Sequence, residues 1–371
     1  MPERLADPPR VVWRKTLTGQ ALAGLAATPD VVLVADRDPL DKLDIFRCLN
    51  ANTGAELWAV RDLASGHLDY GNSPRASPLV HGEFVYFYNA FSRLQCVRLA
   101  TGQVVWKKSL HREFNVTDDT PWGTSSSPLL VDDLLIVNPG APGAAVVALR
   151  PATGEVVWQT PGDKAAFSSF VVGTLGGRRQ LIGYQRTTLC GFDVATGQQL
   201  WQLKPPRAND FNVPTPIVVG DKLLVTTENN GTRLYQFDAM GRIVPQPVAV
   251  NEDLAPDAHT PVVVGNRVFG VWGGLHCLDL AAGLRPLWTS DDAAFNDYAT
   301  AIASDRRVLI VTMHGELILL DAAAEQFSPL SRVPLFADDP GVYSHPALVG
   351  TRMFVRGSRE IICVELGEGE K

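Results

Sequence analysis

The sequence predicts an all-β protein, a single eight-bladed β-propeller whose blades are four-stranded antiparallel sheets. Three observations predict this fold. A tight turn followed by a strand that ends in tryptophan recurs along the chain, and the clearest copies lie 43 to 52 residues apart. A second kind of segment, rich in small residues and proline, recurs eight times. Periods in the forties with several short strands each are typical of propeller blades.

The first repeated element is the turn with its tryptophan strand. Five segments share the shape A-x-T-G-x-x-x-W or a close variant, and glycine at the turn supplies the positive φ that a tight hairpin needs. They are residues 51–58, 100–106, 152–158, 195–201 and 281–288. Six tryptophans occupy the repeat position, which predicts packing between blades: Trp13, Trp58, Trp106, Trp158, Trp201 and Trp288. Trp122 and Trp272 lie outside this register.

Two blades carry degenerate copies of the same element. Trp201 and Trp288 are 87 residues apart, which is two periods. The missing copy is expected at residues 236–245, with Pro245 where the tryptophan would be. A further degenerate copy is expected at residues 319–329.

The second repeated element predicts the innermost strand of each blade. Small residues suit that strand because blades crowd together near the axis. Its eight copies are residues 21–26, 73–80, 124–131, 167–172, 213–219, 258–264, 298–303 and 343–349.

The two ends of the repeat region complement each other. Residues 11–17 predict an outermost strand without its blade, and residues 360–366 predict a third strand without its outermost partner. We therefore expect the N-terminal strand to join the C-terminal blade, which closes the ring and leaves no unpaired edge. The predicted organisation is an extension (residues 1–10), one propeller (11–366) and a tail (367–371).

Composition excludes several classes of function. The 371 residues carry a formal charge of −7, which argues against a general nucleic-acid binder. Apolar runs are too short for a transmembrane helix, and the first ten residues contain no apolar core of a signal peptide. Five widely spaced cysteines, an odd number with no C-x-x-C pair, argue against a disulfide framework or a zinc site. Cys48, Cys96, Cys277 and Cys363 fall at equivalent third-strand positions, which predicts core filling.

The repeated A-x-T-G-x-x-x-W motif resembles the pyrroloquinoline-quinone (PQQ)-like repeat over nearly the whole chain. That family includes quinoprotein dehydrogenases and BamB-like outer-membrane assembly lipoproteins, and its repeat residues are structural. The dehydrogenase branch implies an adjacent Cys-Cys pair under the quinone and Glu, Asn and Asp ligands for Ca²⁺. This sequence has no adjacent cysteines and no motif that carries those ligands. Its length and lack of other domains resemble the BamB-like branch better.

Strand order predicts where function is located. Turns between first and second and between third and fourth strands are short and share one face. Longer loops, between second and third strands and between blades, share the opposite face, and such loops commonly carry function. The residues expected to ring the channel mouth there are Tyr70, Asn72, Arg75, Trp122, Thr124, Phe167, Asn212, Asn230, His259, Trp272, Asn296, Tyr298, His314, Tyr343, His345 and Arg356. They predict either a pocket for a small polar or carbohydrate-like ligand, or loop residues that satisfy backbone groups.

Acidic residues occur on the same loops but without a convergent arrangement. They are Asp69, Asp118, Asp119, Asp210, Asp291, Asp292, Asp297, Asp338 and Asp339. Because Ca²⁺ needs six to eight converging oxygens, we do not expect a calcium site. No nucleophile elbow, zinc-protease motif or P-loop is present.

The leading hypothesis is a non-catalytic scaffold that binds a protein partner or small polar ligand through its long-loop face. It requires no cofactor, and the chain is expected to be monomeric. One alternative is a divergent PQQ-dependent oxidoreductase that holds PQQ with Ca²⁺ and oxidises an alcohol or sugar. Another is a hydrolase or lyase at the channel mouth. The periplasm or cell envelope is the expected location if a signal peptide was removed, and the cytoplasm otherwise.

Overall fold

The computed structural model describes residues 1–116, 120–337 and 341–367, and these residues form a ring of eight four-stranded antiparallel sheets. The predicted eight-bladed propeller is confirmed. The first strand of the chain, β1 (Arg10–Thr16), belongs to the last blade. Within each other blade the strands follow chain order from the axis to the rim.

Blades 1 to 4 share the inner-to-outer order of their strands. Blade 1 contains β2 (Ala26–Ala27), β3 (Val31–Arg37), β4 (Leu43–Asn50) and β5 (Glu56–Leu63). Blade 2 contains β6 (Leu79–His81), β7 (Phe84–Tyr88), β8 (Arg93–Arg98) and β9 (Val104–Ser109). Blade 3 contains β10 (Leu129–Val131), β11 (Leu134–Val137), β12 (Val146–Leu149) and β13 (Val156–Thr160). Blade 4 contains β14 (Val171–Leu175), β15 (Arg178–Gln185), β16 (Thr188–Phe192) and β17 (Gln199–Leu203).

Blades 5 to 8 repeat the same order, and blade 8 closes the ring. Blade 5 contains β18 (Ile217–Val219), β19 (Lys222–Thr227), β20 (Gly231–Tyr235) and β21 (Ala249–Asn251). Blade 6 contains β22 (Val262–Val264), β23 (Arg267–Val271), β24 (Leu275–Asp279) and β25 (Arg285–Ser290). Blade 7 contains β26 (Ala299–Ala303), β27 (Arg307–Thr312), β28 (Glu316–Asp321) and β29 (Pro329–Pro334). Blade 8 contains β30 (Ala347–Val349), β31 (Arg352–Arg356), β32 (Glu360–Glu365) and β1.

Two short helices interrupt the inter-blade loops, α1 (Leu110–Glu113) after blade 2 and a 3₁₀ turn (Ala293–Phe295) after blade 6. Among the described residues, no helix is long and apolar enough to cross a membrane.

The predicted ring closure is also present. β1 pairs antiparallel with β32, from Arg10 opposite Glu365 to Thr16 opposite Glu360. The outermost strand of blade 8 therefore comes from the opposite end of the chain, and blades 8 and 1 meet through a shared core around Trp13.

The tryptophan repeat joins each blade to the next. The indole N–H of Trp13, Trp58, Trp106 and Trp158 donates to a backbone carbonyl in the turn between third and fourth strands of the following blade, at 2.8 to 3.1 Å. Trp288 does the same towards Ala324 at 3.0 Å. The structural role that the sequence predicted for these residues is thus observed.

Trp201 differs from the others. Its indole N–H donates to the Oε1 of Gln180 in its own blade at 2.5 Å. That side chain in turn donates to the carbonyl of Gly241 in blade 5 at 2.9 Å, so the link to the next blade passes through Gln180.

Glycine is required in the turn at these contacts for two reasons, its positive φ and its lack of a Cβ. Gly197 has φ +72°, and a Cβ added there would lie 2.3 Å from Cε3 of Trp158. Gly54, Gly102 and Gly154 stand in the same relation to Trp13, Trp58 and Trp106. Glycine therefore lets the Thr-Gly turn adopt a left-handed backbone conformation, and its lack of a side chain leaves room for the indole ring of the neighbouring blade.

The core is divided among the blade interfaces. The described residues form eight hydrophobic clusters, and each cluster draws its members from two adjacent blades. The cluster between blades 5 and 6 has six fully buried members, whereas the other clusters have 10 to 14.

The two blades with degenerate repeats lack the tryptophan, and the position expected for it in blade 5 requires a correction. In blade 5 the residue opposite the third-strand position is Ala249, not Pro245 as the sequence suggested. The connection from β20 is longer than in other blades, and Pro245 lies within it, ahead of β21. In blade 7 the equivalent residue is Ser331, opposite Leu319.

The innermost strands are shorter than predicted, because the serine- and proline-rich segments precede the strands. Strand β6 begins only at Leu79. The segments ahead of the strands link blades instead: the backbone N–H groups of Ser77, Ser127, Ser169 and Thr215 each donate to the side-chain hydroxyl at the same position of the next blade, at 3.0 to 3.2 Å. A chain of hydroxyls thus runs around the inner ring from blade 2 to blade 6.

The five cysteines are buried and unbridged, as the sequence predicted. Cys48, Cys96, Cys277 and Cys363 each lie opposite a repeat tryptophan. Burial raises the pKa of the Cys48 thiol to about 12 and that of Cys96 to about 11.

We predict that the native thiols do not react with a disulfide reagent at pH 8, because the reactive thiolate is suppressed by burial. The release of thionitrobenzoate before and after addition of denaturant measures this. The expected result is no prompt reaction in the folded protein and five equivalents after unfolding. Prompt reaction of even one native thiol would contradict the observed burial.

A pair of glycine substitutions tests the contact between turn and indole. Gly220 also has positive φ (+59°), but no atom lies within 4 Å of its added Cβ. Gly220→Ala should cost about 1 kcal/mol for the left-handed backbone alone. Gly197→Ala should cost about 3 kcal/mol, because overpacking against Trp158 is added. Denaturant titration measures both variants, and equal losses would show that the indole contact does not constrain the turn.

Candidate functional site

The long-loop face is built as predicted from the loops between blades and the turns between second and third strands. Its central residues separate into three groups: side chains that fix the loops, an aromatic cluster near Trp122, and a cavity near Trp272. The predicted residues therefore share a face, but the structure does not bring them into one continuous pocket.

Six of the predicted residues are engaged in fixing the loops. Arg356 is 1% exposed and donates to the carbonyls of Gly19 (2.6 Å) and Gly357 (2.7 Å), among others. Arg75 donates to three carbonyls of its own loop, and burial lowers its pKa to about 10. These contacts orient the loop backbone and leave little of either guanidinium for a ligand.

Three of the four predicted asparagines and Thr124 have the same structural role. Asn72 donates to Asp41 and to the carbonyl of Gly66. Asn230 donates to Asp210 at 2.6 Å, and Asn212 donates to the carbonyl of Arg186 at 2.7 Å. Thr124 shares a hydrogen bond between hydroxyls with Ser92. Their hydrogen bonds satisfy buried polar groups, as folded proteins generally require.

An aromatic cluster links three consecutive loops. The ring centroid of Trp122 lies 4.9 Å from that of Phe167 and 4.8 Å from that of Phe211, both edge to face. Such arrangements are favourable for aromatic pairs. Phe167 is buried, but Phe211 is half-exposed, so the cluster presents an apolar surface to solvent. Sequence reasoning missed Phe211, although it directly precedes the predicted Asn212.

A cavity of about 460 Å³ lies between the loops on either side of blade 6. Four predicted residues line it: His259, Trp272, Asn296 and Tyr298. Asp257 and Asp297 also line it, and neither was among the predicted binding residues. The volume is within the range of small-ligand sites in proteins.

Hydrogen bonds hold the walls of this cavity in place. The hydroxyl of Tyr298 donates to Oδ2 of Asp257 at 3.4 Å. His314, on the neighbouring turn, contacts Oδ2 of Asp297 through Nε2 at 3.0 Å. The amide of Trp272 donates to the carbonyl of Gly274 at 2.8 Å, so the turn that carries the indole is closed.

Tyr298 at the cavity lies within electrostatic range of two tyrosines from other loops, Tyr70 and Tyr343. The pKa of Tyr298 is raised by its burial and also by the nearby Asp257, Tyr70 and Tyr343, and all three tyrosines are exposed by 41% or more. His345, also accessible, lies near enough to His259 to disfavour its protonation. These residues come from the loops before blades 2, 6, 7 and 8.

His259 is a buried, neutral imidazole at the cavity. Its Nδ1 lies 2.6 Å from the carbonyl of Ala299, which can only accept, so Nδ1 carries the proton. Its Nε2 is buried without a hydrogen-bond partner among the described residues. Burial lowers the pKa of His259 to about 4.

The acidic residues of the face do not form a metal site among the described residues. No three His, Cys, Asp or Glu side chains there are grouped to hold an ion. Asp210 binds the Asn229 amide and Asn230, whereas Asp292 caps the 3₁₀ turn and pairs with Arg332. Asp118, Asp119, Asp338 and Asp339 lie outside the described residues.

Comparison with known proteins places this geometry in a family. The family model described as outer membrane protein assembly factor BamB, a PQQ-type repeat model, matches residues 6–119 and 41–290, most of the chain. The chain belongs to the BamB family of PQQ-like propellers. The resemblance predicted from the repeats is therefore confirmed.

Individual BamB proteins and related propellers agree with this assignment. The BamB of Burkholderia pseudomallei is 24% identical over 347 residues, which cover 89% of this chain and 80% of that protein. The crystal structure of BamB from Moraxella catarrhalis superposes with a TM-score of 0.68 at 15% identity, covering 96% of this chain and all of the other. A quinohemoprotein alcohol dehydrogenase from Comamonas testosteroni shares the fold, with a TM-score of 0.67 at 12% identity over 97% of this chain and 77% of its own.

Within this BamB-family propeller, the channel-mouth residues stay candidates for binding. Trp122 and Trp272, the two tryptophans outside the repeat register, both lie on the long-loop face, in the aromatic cluster and the cavity. A tryptophan outside the repeat register therefore indicated a residue of the long-loop face. The presence of an asparagine or arginine in these loops was less informative, because such side chains also hydrogen-bond buried backbone groups.

The buried His259 generates a prediction about pH. Its pKa is about 4 in the folded state against 6.5 in the unfolded state, so the unfolded chain takes up the proton first as pH falls. We expect His259→Asn, which keeps a donor for Ala299, to remove a loss of stability that grows towards about 3 kcal/mol between pH 7 and pH 4.

Denaturant titrations of the parent and variant across this range measure the difference. Subtraction cancels other titrating groups, including buried Asp44, whose pKa burial raises to about 7. Parallel stability curves for the two proteins would show that His259 is not held neutral in the fold.

Proposed function

We propose that this BamB-family protein is a non-catalytic scaffold that binds another protein through its long-loop face. The relatives are named outer membrane protein assembly factors. By extension, this chain would act as a monomer in the assembly of outer-membrane proteins, at the periplasmic side of the cell envelope.

One observation carries the proposal: the aromatic residues exposed on the described surface are confined to one face. Tyr70, Phe211, Trp272, Tyr298 and Tyr343 are each exposed by 41% to 80%, and all five lie on long-loop segments. Aromatic side chains are enriched in protein interfaces and supply most of their binding energy. A rigid ring of blades that presents them together is suited to docking.

Four of the exposed aliphatic residues have a different explanation. Leu57, Val105, Val157 and Leu287 each precede a repeat tryptophan at a β-bulge of the outermost strand. The bulge turns them outward so that the following indole faces the next blade. These residues lie around the rim and follow from the repeat itself, so they carry no argument for a docking face.

The residues of the face do not fit the PQQ alternative. The five cysteines lie on the third strands of five separate blades, so none can form the adjacent pair that the dehydrogenase resemblance implies. The described acidic side chains offer no grouped ligands for Ca²⁺. The proposal therefore includes no step through a quinone.

Site-specific photocrosslinking tests the proposal. A photoreactive phenylalanine analogue at Tyr70 or Tyr343 reports on the long-loop face. The same analogue at Met240, which is 65% exposed beyond β20 on the short-turn face, is the matched control. In cells of the source bacterium we expect a discrete protein adduct from Tyr70 and Tyr343 and none from Met240.

The adduct pattern decides the outcome. Adducts from the long-loop positions that contain a component of outer-membrane protein assembly would support the proposed function. Adducts from Met240 alone, or no adduct at any position, would overturn the assignment of this face.

A further inference from the structure

The geometry points to the cavity beside blade 6 as a binding site for an organic cation with N–H donors, a guanidinium or primary ammonium group. This inference deepens the proposed function and rests on it for the use of the long-loop face. We call this cavity, lined by Asp257, His259, Trp272, Asn296, Asp297 and Tyr298, the blade 6 cavity.

The charge of the lining residues favours a cation. Asp257 and Asp297 contribute two carboxylates, and no lysine or arginine is among the residues that line the blade 6 cavity. Glu228 and Asp210 extend this negative region. The pKa of Glu228 is raised mainly by its burial, and the charges of Asp210 and Asp257 raise it further. Tyr298 and His314 contact the two carboxylates of the cavity, but no lysine or arginine lines the cavity, so the acidic group attracts a positive ligand.

The hydrogen-bonding groups favour a donor. Both carboxylates and the amide oxygen of Asn296 accept hydrogen bonds. His259 is less than a tenth exposed, and because its proton is on Nδ1, its Nε2 is an acceptor. That atom has no partner among the described residues. A buried acceptor without a donor is costly. Because Nε2 has almost no accessible surface, the two carboxylates and Asn296 are the acceptors that a ligand in the cavity meets directly.

The aromatic walls favour a flat or compact cation. Trp272 and Tyr298 face the blade 6 cavity from two different connections, and each keeps more than 40% of its surface exposed. Aromatic faces attract cations, and arginine stacks on them while its N–H groups bind a carboxylate in pairs. The combination of two aromatic side chains with two carboxylates matches a guanidinium better than a neutral or anionic ligand.

The size of the blade 6 cavity suits a single residue or a small free amine. Its volume of about 460 Å³ accommodates an arginine or lysine side chain or a small diamine. The same chemistry therefore has two sources, a basic side chain of a docked protein and a free small cation.

Calorimetric titration of the full chain with matched ligands tests the inference. The probes are acetyl-glycyl-arginyl-glycine amide, agmatine as a free guanidinium, and the peptide with citrulline in place of arginine. Citrulline keeps the shape of arginine and removes the charge. We expect both cations to bind and the citrulline peptide to bind at least about tenfold more weakly.

Substitutions locate the binding. Asp257→Asn keeps the shape of the side chain and should weaken binding of the cation about tenfold. Trp272→Leu should also weaken it. Asp305→Asn removes an exposed carboxylate from the turn between β26 and β27 on the opposite face and should leave binding unchanged. Equal melting temperatures of Asp257→Asn and Asp305→Asn separate lost binding from lost folding.

The possible results either identify the source of the bound cation or overturn the inference. Tighter binding of the arginine peptide assigns the site to a side chain of a protein partner, whereas tighter binding of agmatine assigns it to a free cation. Equal binding of the citrulline peptide, unchanged binding by Asp257→Asn, or no binding of either cation overturns the inference. If a partner is crosslinked but no cation binds, only this inference fails. If a cation binds but no partner is crosslinked, only the proposed scaffold role fails.

Discussion

The contact between a tryptophan of one blade and the glycine turn of the next is the interaction on which this ring depends. It combines the hydrogen bond from the indole to a backbone carbonyl, a large apolar contact and the left-handed backbone conformation of the glycine. Four consecutive interfaces, from blade 8 to blade 4, have it in full through Trp13, Trp58, Trp106 and Trp158. Blades that meet in this way have little freedom to tilt, which fixes the bases of the loops on both faces.

The other interfaces are held differently, and the interface between blades 5 and 6 has the smallest buried cluster. Between blades 5 and 6, Ala249 replaces the indole and only six side chains form the buried cluster. The blade 6 cavity is lined by a turn of blade 6 and by the loops that precede and follow that blade. The hydroxyl chain through Thr215 and Thr260 still connects these blades near the axis. The region is therefore fixed at the centre and more loosely packed towards the rim.

The fold could be predicted from the sequence because its signals are repeated. Eight copies of one pattern make errors in any single copy unimportant, so the misplacement of Pro245 did not alter the blade count. The site was only partly predictable, because a loop residue has no second copy for comparison. Asn230 and Asn296 have the same chemistry, yet one binds Asp210 beneath the surface and the other lines the cavity. Phe211 and Asp257 gained importance only from neighbours that are distant in sequence.

The closure of blade 8 by β1 has a consequence for when the protein can form. The partners Arg10 and Glu365 lie at opposite ends of the chain. At about 5 to 20 residues per second, a ribosome makes the first partner tens of seconds before the second. During that interval blades 1 to 7 can pair their own strands, but β1 has no strand of blade 8 to pair with. The ring is completed only by the last strand to be made, so a chain that stops short of β32 leaves both the first and the last interface open.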